Sequence, residues 1–234
     1  MCRLFGITHF DLSRHEALVE RFCGLALSGA VMAGDPPGHL DGWGLALYRE
    51  GKLMVHKSGG NLRDETEKLM GILQETPRSP VLVLHLRKSA WKSSSTARHA
   101  HPFHHGNVAF AHNGVVYGYE RLLPDVTVPG LEPDALDTEV FFYHVMSGAQ
   151  TRDLGEAFRA SAGLIKREYR YSALNVLFTD GLRLFAYRDF SKEPDYYSLF
   201  TARDRDSVCI SSEPLCETIA WAPMDNGGFL EIPV

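Results

Sequence analysis

The chain has 234 residues, 44% of them hydrophobic and 23% charged, with a net charge of −5. This composition excludes a disordered or collagen-like chain, and the acidic balance excludes a general nucleic-acid-binding surface. A single α+β domain spanning residues 1–234 is expected, since no Pro/Gly/Ser-rich linker divides the sequence and such a length buries roughly 70% of its unfolded surface unaided.

Cys2, Cys23, Cys209 and Cys216 form no C-x-x-C pair, which argues against a zinc site and against a disulfide framework. The first residues lack the apolar core of a signal peptide. No run of about 18 apolar residues offers a membrane span, so a cytoplasmic location with no membrane partner is expected.

In chain order, residues 2–10 read as a strand beginning at the terminus. Ala17, Leu18, Arg21, Phe22 and Leu25 then repeat at helical spacing. Residues 29–40, rich in Gly and Pro, read as a loop. Residues 43–48 and 53–56 form a plausible hairpin around Gly51. Residues 62–73 are amphipathic and stop before Pro77, with Asn61 as the expected cap. Residues 81–86 read as a buried strand bounded by Pro80, 88–106 as a polar loop and 107–111 as a further strand. Helices are expected over 137–146 and around Leu154–Ile165. Asp180-Gly181 joins strands 173–179 and 182–187. Strands at 197–202, 207–211 and 229–232 complete the pattern, with helices between antiparallel groups.

Position 2 carries the chemistry. Removal of Met1 would leave Cys2 with both a thiol and a free α-amine. An α-amine titrates at about 7.7–8.0 in model peptides, so it is partly neutral at pH 7 and can take the thiol proton. Nucleophile and general base then share one residue and need no His or Asp partner. Alone, a Cys after Met is better explained as a small apolar residue opening a strand.

The rest of the sequence changes that balance. Met1-Cys2-Arg3-Leu4-Phe5-Gly6, Leu84-His85-Leu86-Arg87, Ala111-His112-Asn113-Gly114 and Asp137-Thr138-Glu139 occur in that order. Together they resemble the class II glutamine amidotransferases of the N-terminal-nucleophile (Ntn) hydrolase superfamily. Asp41-Gly42-Trp43-Gly44 and Ser212-Glu213-Pro214-Leu215 resemble its small stand-alone members. The resemblance runs from residue 2 to about residue 220 and implies a four-layer αββα sandwich.

The same resemblance implies site roles. Cys2 is the implied nucleophile, with Asn113 and the Gly114 backbone as the oxyanion hole, Arg87 on the substrate α-carboxylate and Asp137 on its α-ammonium. Each role suits its side chain: a neutral amide donates to an oxyanion, and a guanidinium fork matches a carboxylate. A tight turn at Asn113-Gly114 and an N-cap at Asp137 are the structural alternatives. Two segments depart from the family pattern. Ser28-Gly29 is the nearest match to an Arg-Gly pair near the nucleophile's amine, and Ala90 stands where a carboxylate-binding Thr is usual.

His99, His101, His104 and His105 cluster, but their spacing fits no defensible ligand pattern, so a solvated loop is expected. His101-Pro102-Phe103 resembles the family segment before His-Asn-Gly and points to structure. Cys23 and Cys209 read as packing residues, and Cys216 as lying near a helix start. No metal or organic cofactor is expected. The implied substrate is glutamine or a γ-glutamyl amide, cleaved through a Cys2 thioester. An ammonia-accepting synthase would be a separate partner; a γ-glutamyl-metabolite hydrolase acting alone and a catalytically silent glutamine-binding regulator are the alternatives.

Overall fold

The computed structural model describes residues 2–91 and 94–234. Met1, whose removal the sequence reading expects, lies outside the described residues.

Strand β1 (Arg3–Asp11) leads into helix α1 (Leu12–Ser28). Asp11 caps that helix by accepting from the Ser13 backbone N–H, which the helix itself leaves unpaired. The hairpin β2 (Trp43–Arg49) and β3 (Lys52–Ser58) follows, then α2 (Leu62–Glu75) with Asn61 as its cap, as expected. Strand β4 is Arg78–Leu86, β5 is Phe103–His105, β6 is Val108–Asn113 and β7 is Val116–Tyr117. A 3-10 turn (Tyr119–Asp125) precedes α3 (Asp137–Gly148) and α4 (Leu154–Glu168). The remaining strands are β8 (Arg170–Tyr171), β9 (Asn175–Thr179), β10 (Arg183–Arg188), β11 (Phe200–Asp204), β12 (Ser207–Ser211), β13 (Ala222–Pro223) and β14 (Gly228–Pro233).

Two antiparallel sheets stack face to face. One has seven strands in the order β13-β11-β12-β1-β4-β2-β3, the other five in the order β14-β10-β9-β6-β5. Period-two alternation divides each strand between two cores. On β1, Phe5 and Ile7 join α1 and α2 in one apolar cluster, while Leu4 joins Val83, Ala111, Leu177 and Leu184 between the sheets. Phe110, Val176, Phe178 and Phe185 turn outward to α3 and α4. The result is the four-layer αββα sandwich the resemblance implies. Gly6 lies where the sheets meet, and a Cβ there would lie 3.1 Å from a Leu177 methyl carbon, which would have to give by a few tenths of an ångström.

Several expectations are corrected. Strand β4 starts at Arg78 and runs through Pro80. Proline can sit there because the β1 pairing skips from Thr8–Val81 to Phe10–Ser79, and His9 opposite it has φ 50. The polar segment 88–106 contains β5. Strand β6 extends through Asn113, so no tight turn begins there. Cys216 lies in a loop after β12, where no helix starts. Among the described residues, no helix is long and apolar enough to cross a membrane.

Candidate active site

Cys2 immediately precedes β1, the strand between β12 and β4 near the middle of the larger sheet. Its backbone nitrogen donates to Asn113 Oδ1 at 3.0 Å, which joins the first strand of one sheet to the end of β6 in the other. The Cys2 thiol lies 3.7 Å from the Lys88 carbonyl, a weak S–H contact. Asn113 is fully buried, yet its Nδ2 has no hydrogen-bond partner among the described residues. A buried donor left unpaired costs about 1–3 kcal/mol and calls for an explanation.

Gly114 follows directly. Its φ is not positive, so the turn argument for glycine does not apply. What demands glycine is close approach: a Cβ would lie 2.6 Å from both the Ala173 carbonyl carbon and His112 Nε2.

Arg87 is buried just past the end of β4. Its Nη1 donates to the Ser94 carbonyl at 2.8 Å and its Nη2 to Ser94 Oγ at 2.9 Å. The Ser89 and Ser94 hydroxyls are 2.7 Å apart. Burial lowers the Arg87 pKa, while Cys2, Asp41 and Asp137 favour its charge. Ala90 lines the same cleft, so the hydroxyls beside the guanidinium come from Ser89 and Ser94 instead of the expected Thr position.

Asp137 is the first residue of α3 and not its cap, which is Leu136. One carboxylate oxygen accepts from Val116 N at 2.9 Å and the other from Trp91 Nε1 at 3.2 Å. Burial pushes its pKa up, against the opposing effects of His112 and these hydrogen bonds. Cys2, Arg87, Gly114 and Asp137 line one cleft, and Asn113 reaches it through its bond to Cys2. All five residues singled out from the sequence are therefore brought together.

The start of β1 beside Cys2 is anchored by residues that carried no assigned role. Arg3 is fully buried; its Nη1 donates to the Cys2 carbonyl at 3.0 Å and its Nε to Glu213 Oε1 at 2.5 Å. It also donates to the Ala30 carbonyl and lies over the Tyr196 ring at 4.8 Å. Glu213 accepts from Ala30 N as well, and Ser212 brackets Leu4 through its hydroxyl and its backbone N–H. The late Ser212-Glu213 motif is thus the socket for the start of β1. Ser28 is exposed and donates to Gly24 O within its own helix, and it is not among the residues lining the cleft with Cys2. The residue packed on Gly29 is His39, fully buried, with neither ring nitrogen in hydrogen-bond geometry. Burial pushes its pKa down to about 3.

The histidine-rich segment divides. His101 is buried, its ring tilted by 35° against the His85 ring at 4.3 Å, and accepts from His112 N at 3.3 Å; His104 is exposed but lies in β5, not in the expected loop. Among the described residues, no group of His, Cys, Asp and Glu could hold a metal ion. Burial pushes the Cys23 and Cys209 thiols up to about 12, which suits inert packing.

An αββα sandwich with a cysteine at the head of a central strand, facing a buried Asn and the half-buried Gly after it, defines the Ntn-type amidotransferase class. The family model for class II glutamine amidotransferases matches residues 1–199, and the chain belongs to that family. It is 32% identical over 164 residues to an uncharacterized protein of Methanocaldococcus jannaschii, covering 65% of this chain and 43% of that one. It is 31% identical over 184 residues to a glutamine–fructose-6-phosphate aminotransferase (isomerizing) of Rhizobium meliloti, covering 77% of this chain and 27% of that one. The chain thus spans less than half the length of either relative. Among solved structures, the glutamine phosphoribosylpyrophosphate amidotransferase of B. subtilis superposes with TM-score 0.69 at 16% identity, over 99% of this chain and 47% of that one. A glutamine aminotransferase class-II domain protein of Silicibacter pomeroyi superposes with TM-score 0.67 at 18% identity, over 100% of this chain and 95% of that one. At these identities the structural likeness concerns the fold.

Proposed function

We propose that this chain hydrolyses the side-chain amide of glutamine or of a γ-glutamyl amide, with mature Cys2 as nucleophile and its own α-amine as base. The observation that carries the reading is the Asn113 side chain, whose Oδ1 accepts from Cys2 N while its buried Nδ2 stays unpartnered. That geometry holds the nucleophile with one end of the amide and leaves the other end free for an oxyanion.

The α-amine takes the thiol proton, and the thiolate attacks the γ-carbonyl carbon. Asn113 Nδ2 and the Gly114 N–H receive the negative charge that develops on oxygen. The ammonium returns the proton to the leaving nitrogen as the C–N bond breaks, leaving a γ-glutamyl thioester. Water cleaves that thioester to glutamate and regenerates the thiol. Arg87 holds the α-carboxylate with the Nε and Nη2 protons that Ser94 and Asp41 leave over, and Asp137 holds the α-ammonium. These contacts grip only the glutamyl end, so the leaving group is ammonia or an amine. A separate synthase would accept the ammonia in an amidotransferase; a γ-glutamyl-metabolite hydrolase would need none.

Intact mass before and after 6-diazo-5-oxo-L-norleucine, with Cys2→Ala as control, tests the reading. Loss of Met1 and one adduct absent from the variant are expected. A retained Met1 with no adduct would overturn catalysis and favour a glutamine-binding regulator. Rates on glutamine against a series of γ-glutamyl amines then separate the two hydrolytic readings.

A further inference from the structure

His112 precedes the Asn113-Gly114 pair, and its ring is fully buried between the smaller sheet and α3. Its Nε2 lies 3.0 Å from the Ala173 carbonyl and its Nδ1 lies 2.9 Å from Thr138 Oγ1. A carbonyl only accepts, so Nε2 carries the proton; Nδ1 then accepts from the Thr138 hydroxyl. Both polar atoms of the ring are satisfied in one tautomer only. The His112 backbone N–H donates in turn to His101 Nδ1 at 3.3 Å, and the ring packs edge-on against Phe141 of α3.

The two partners matter because of what adjoins them. Ala173 is the residue against whose carbonyl Gly114 rests so closely that no Cβ fits. Thr138 is next to Asp137 in the first turn of α3. One imidazole therefore links the backbone behind Gly114 to the helix end that carries Asp137. A second, independent link runs from Val116 N to the Asp137 carboxylate. Loss of the ring would free the Ala173 carbonyl and the Gly114 backbone, while Val116 still holds Asp137.

We propose that His112 is the positioning residue of the oxyanion hole, holding the Gly114 N–H in line by anchoring the Ala173 carbonyl on one side and Thr138 on the other. Its ring lines the cleft, but both ring nitrogens are bonded within the protein, so it acts through Gly114. The proposal rests on the amidase reading above for its kinetic consequence, not for its geometry.

The test compares His112→Leu, of similar bulk but with no polar atom, with His112→Gln, whose side-chain N–H can still reach the Ala173 carbonyl. With L-glutamine and γ-glutamyl-p-nitroanilide as substrates, the Leu variant should lose kcat on the order of 100-fold, as for removal of one oxyanion donor. Its KM should stay within about threefold, because Arg87 and the Val116–Asp137 bond are untouched. The Gln variant should recover most of kcat. A Leu variant at wild-type kcat, or Leu and Gln variants equally impaired with KM rising in step, would overturn the proposal. Imidazole ¹⁵N shifts of the unmodified protein provide a test that needs no folded variant: Nε2 protonated and Nδ1 bare is expected, and the reverse refutes the anchoring. If the unmodified protein hydrolyses neither substrate, the amidase reading fails alone. Crystal structures of the two variants then decide the positioning role: Gly114 displaced in Leu and retained in Gln supports it, and Gly114 unmoved in Leu overturns it.

Discussion

Lowering the pH from 8 to 5 should strip this fold of much of its stability, through histidines that the folded protein holds neutral. His39, His85, His101 and His112 are buried, and burial is the largest cause pushing each ring down, His39 to about 3. In the unfolded chain each titrates near its ordinary value of about 6.5. The folded value lies below the unfolded one, so the unfolded state binds the extra protons. The stabilisation is therefore complete above about pH 6.5 and is lost as pH falls toward the folded value. For His39 the loss at pH 5 is RT ln(1 + 10^1.5), about 2 kcal/mol. Each of the other rings adds at most the same, so the four together remove up to about 8 kcal/mol. That is comparable with the whole stability of a domain, roughly 5–15 kcal/mol. Asp137 and Glu139, raised by burial, oppose this in part, since the folded state binds protons at these carboxyls more tightly than the unfolded chain does. Urea unfolding followed by tryptophan fluorescence at pH 8 and pH 5 measures the difference. His39→Leu should shrink it by about 2 kcal/mol. Equal stabilities at the two pH values, or a difference unchanged in the variant, would refute the reasoning.

Three substitutions test other joints of the site. Gly114→Ala puts a Cβ 2.6 Å from the Ala173 carbonyl carbon, so the backbone must shift by a sizeable fraction of an ångström; kcat on glutamine should fall about 100-fold, and a drop of under threefold in steady-state assays would contradict it. Arg87→Lys loses the fork that spans Ser94 O and Oγ. KM for glutamine should rise roughly 30-fold, about 2 kcal/mol, and an isothermal titration showing unchanged glutamine affinity for the Cys2→Ala protein carrying Arg87→Lys would rule out the carboxylate role. Glu213→Gln removes the counter-charge of buried Arg3. The cost in a denaturant melt should be about 2 kcal/mol, below that of a fully enclosed pair because Glu213 keeps some contact with water and Gln can still accept both bonds.

Much of the molecule can be read from local pattern. The hydrophobic periods mark α1 through α4 and most strands of both sheets because each element buries one face, and burial leaves a spacing in the sequence. Cys2, Arg87, Asn113, Gly114 and Asp137 are also recoverable, since each sits in a short motif whose residue type suits its chemistry. Short strands such as β5, β7 and β13 leave no such trace: two or three residues cannot show a period, and their pairing is set by partners far along the chain.

The amino-acid sequence by itself determined the layered α+β class, the unusual position of the cysteine and the inventory of charged and amide groups around it. Only the tertiary structure decided how those groups are satisfied. Arg3 meets Glu213 across 210 positions and Cys2 meets Asn113 across 111, distances in sequence over which no motif carries information. Glycine at 114 is required by the Ala173 carbonyl, a residue with no local relation to it, and not by a turn. Ser94 and Ser89 supply hydroxyls beside Arg87 where the motif holds Ala90. Hydrogen bonds and contacts of that kind are properties of distance in space, and chain connectivity leaves that distance open until the sheets have stacked.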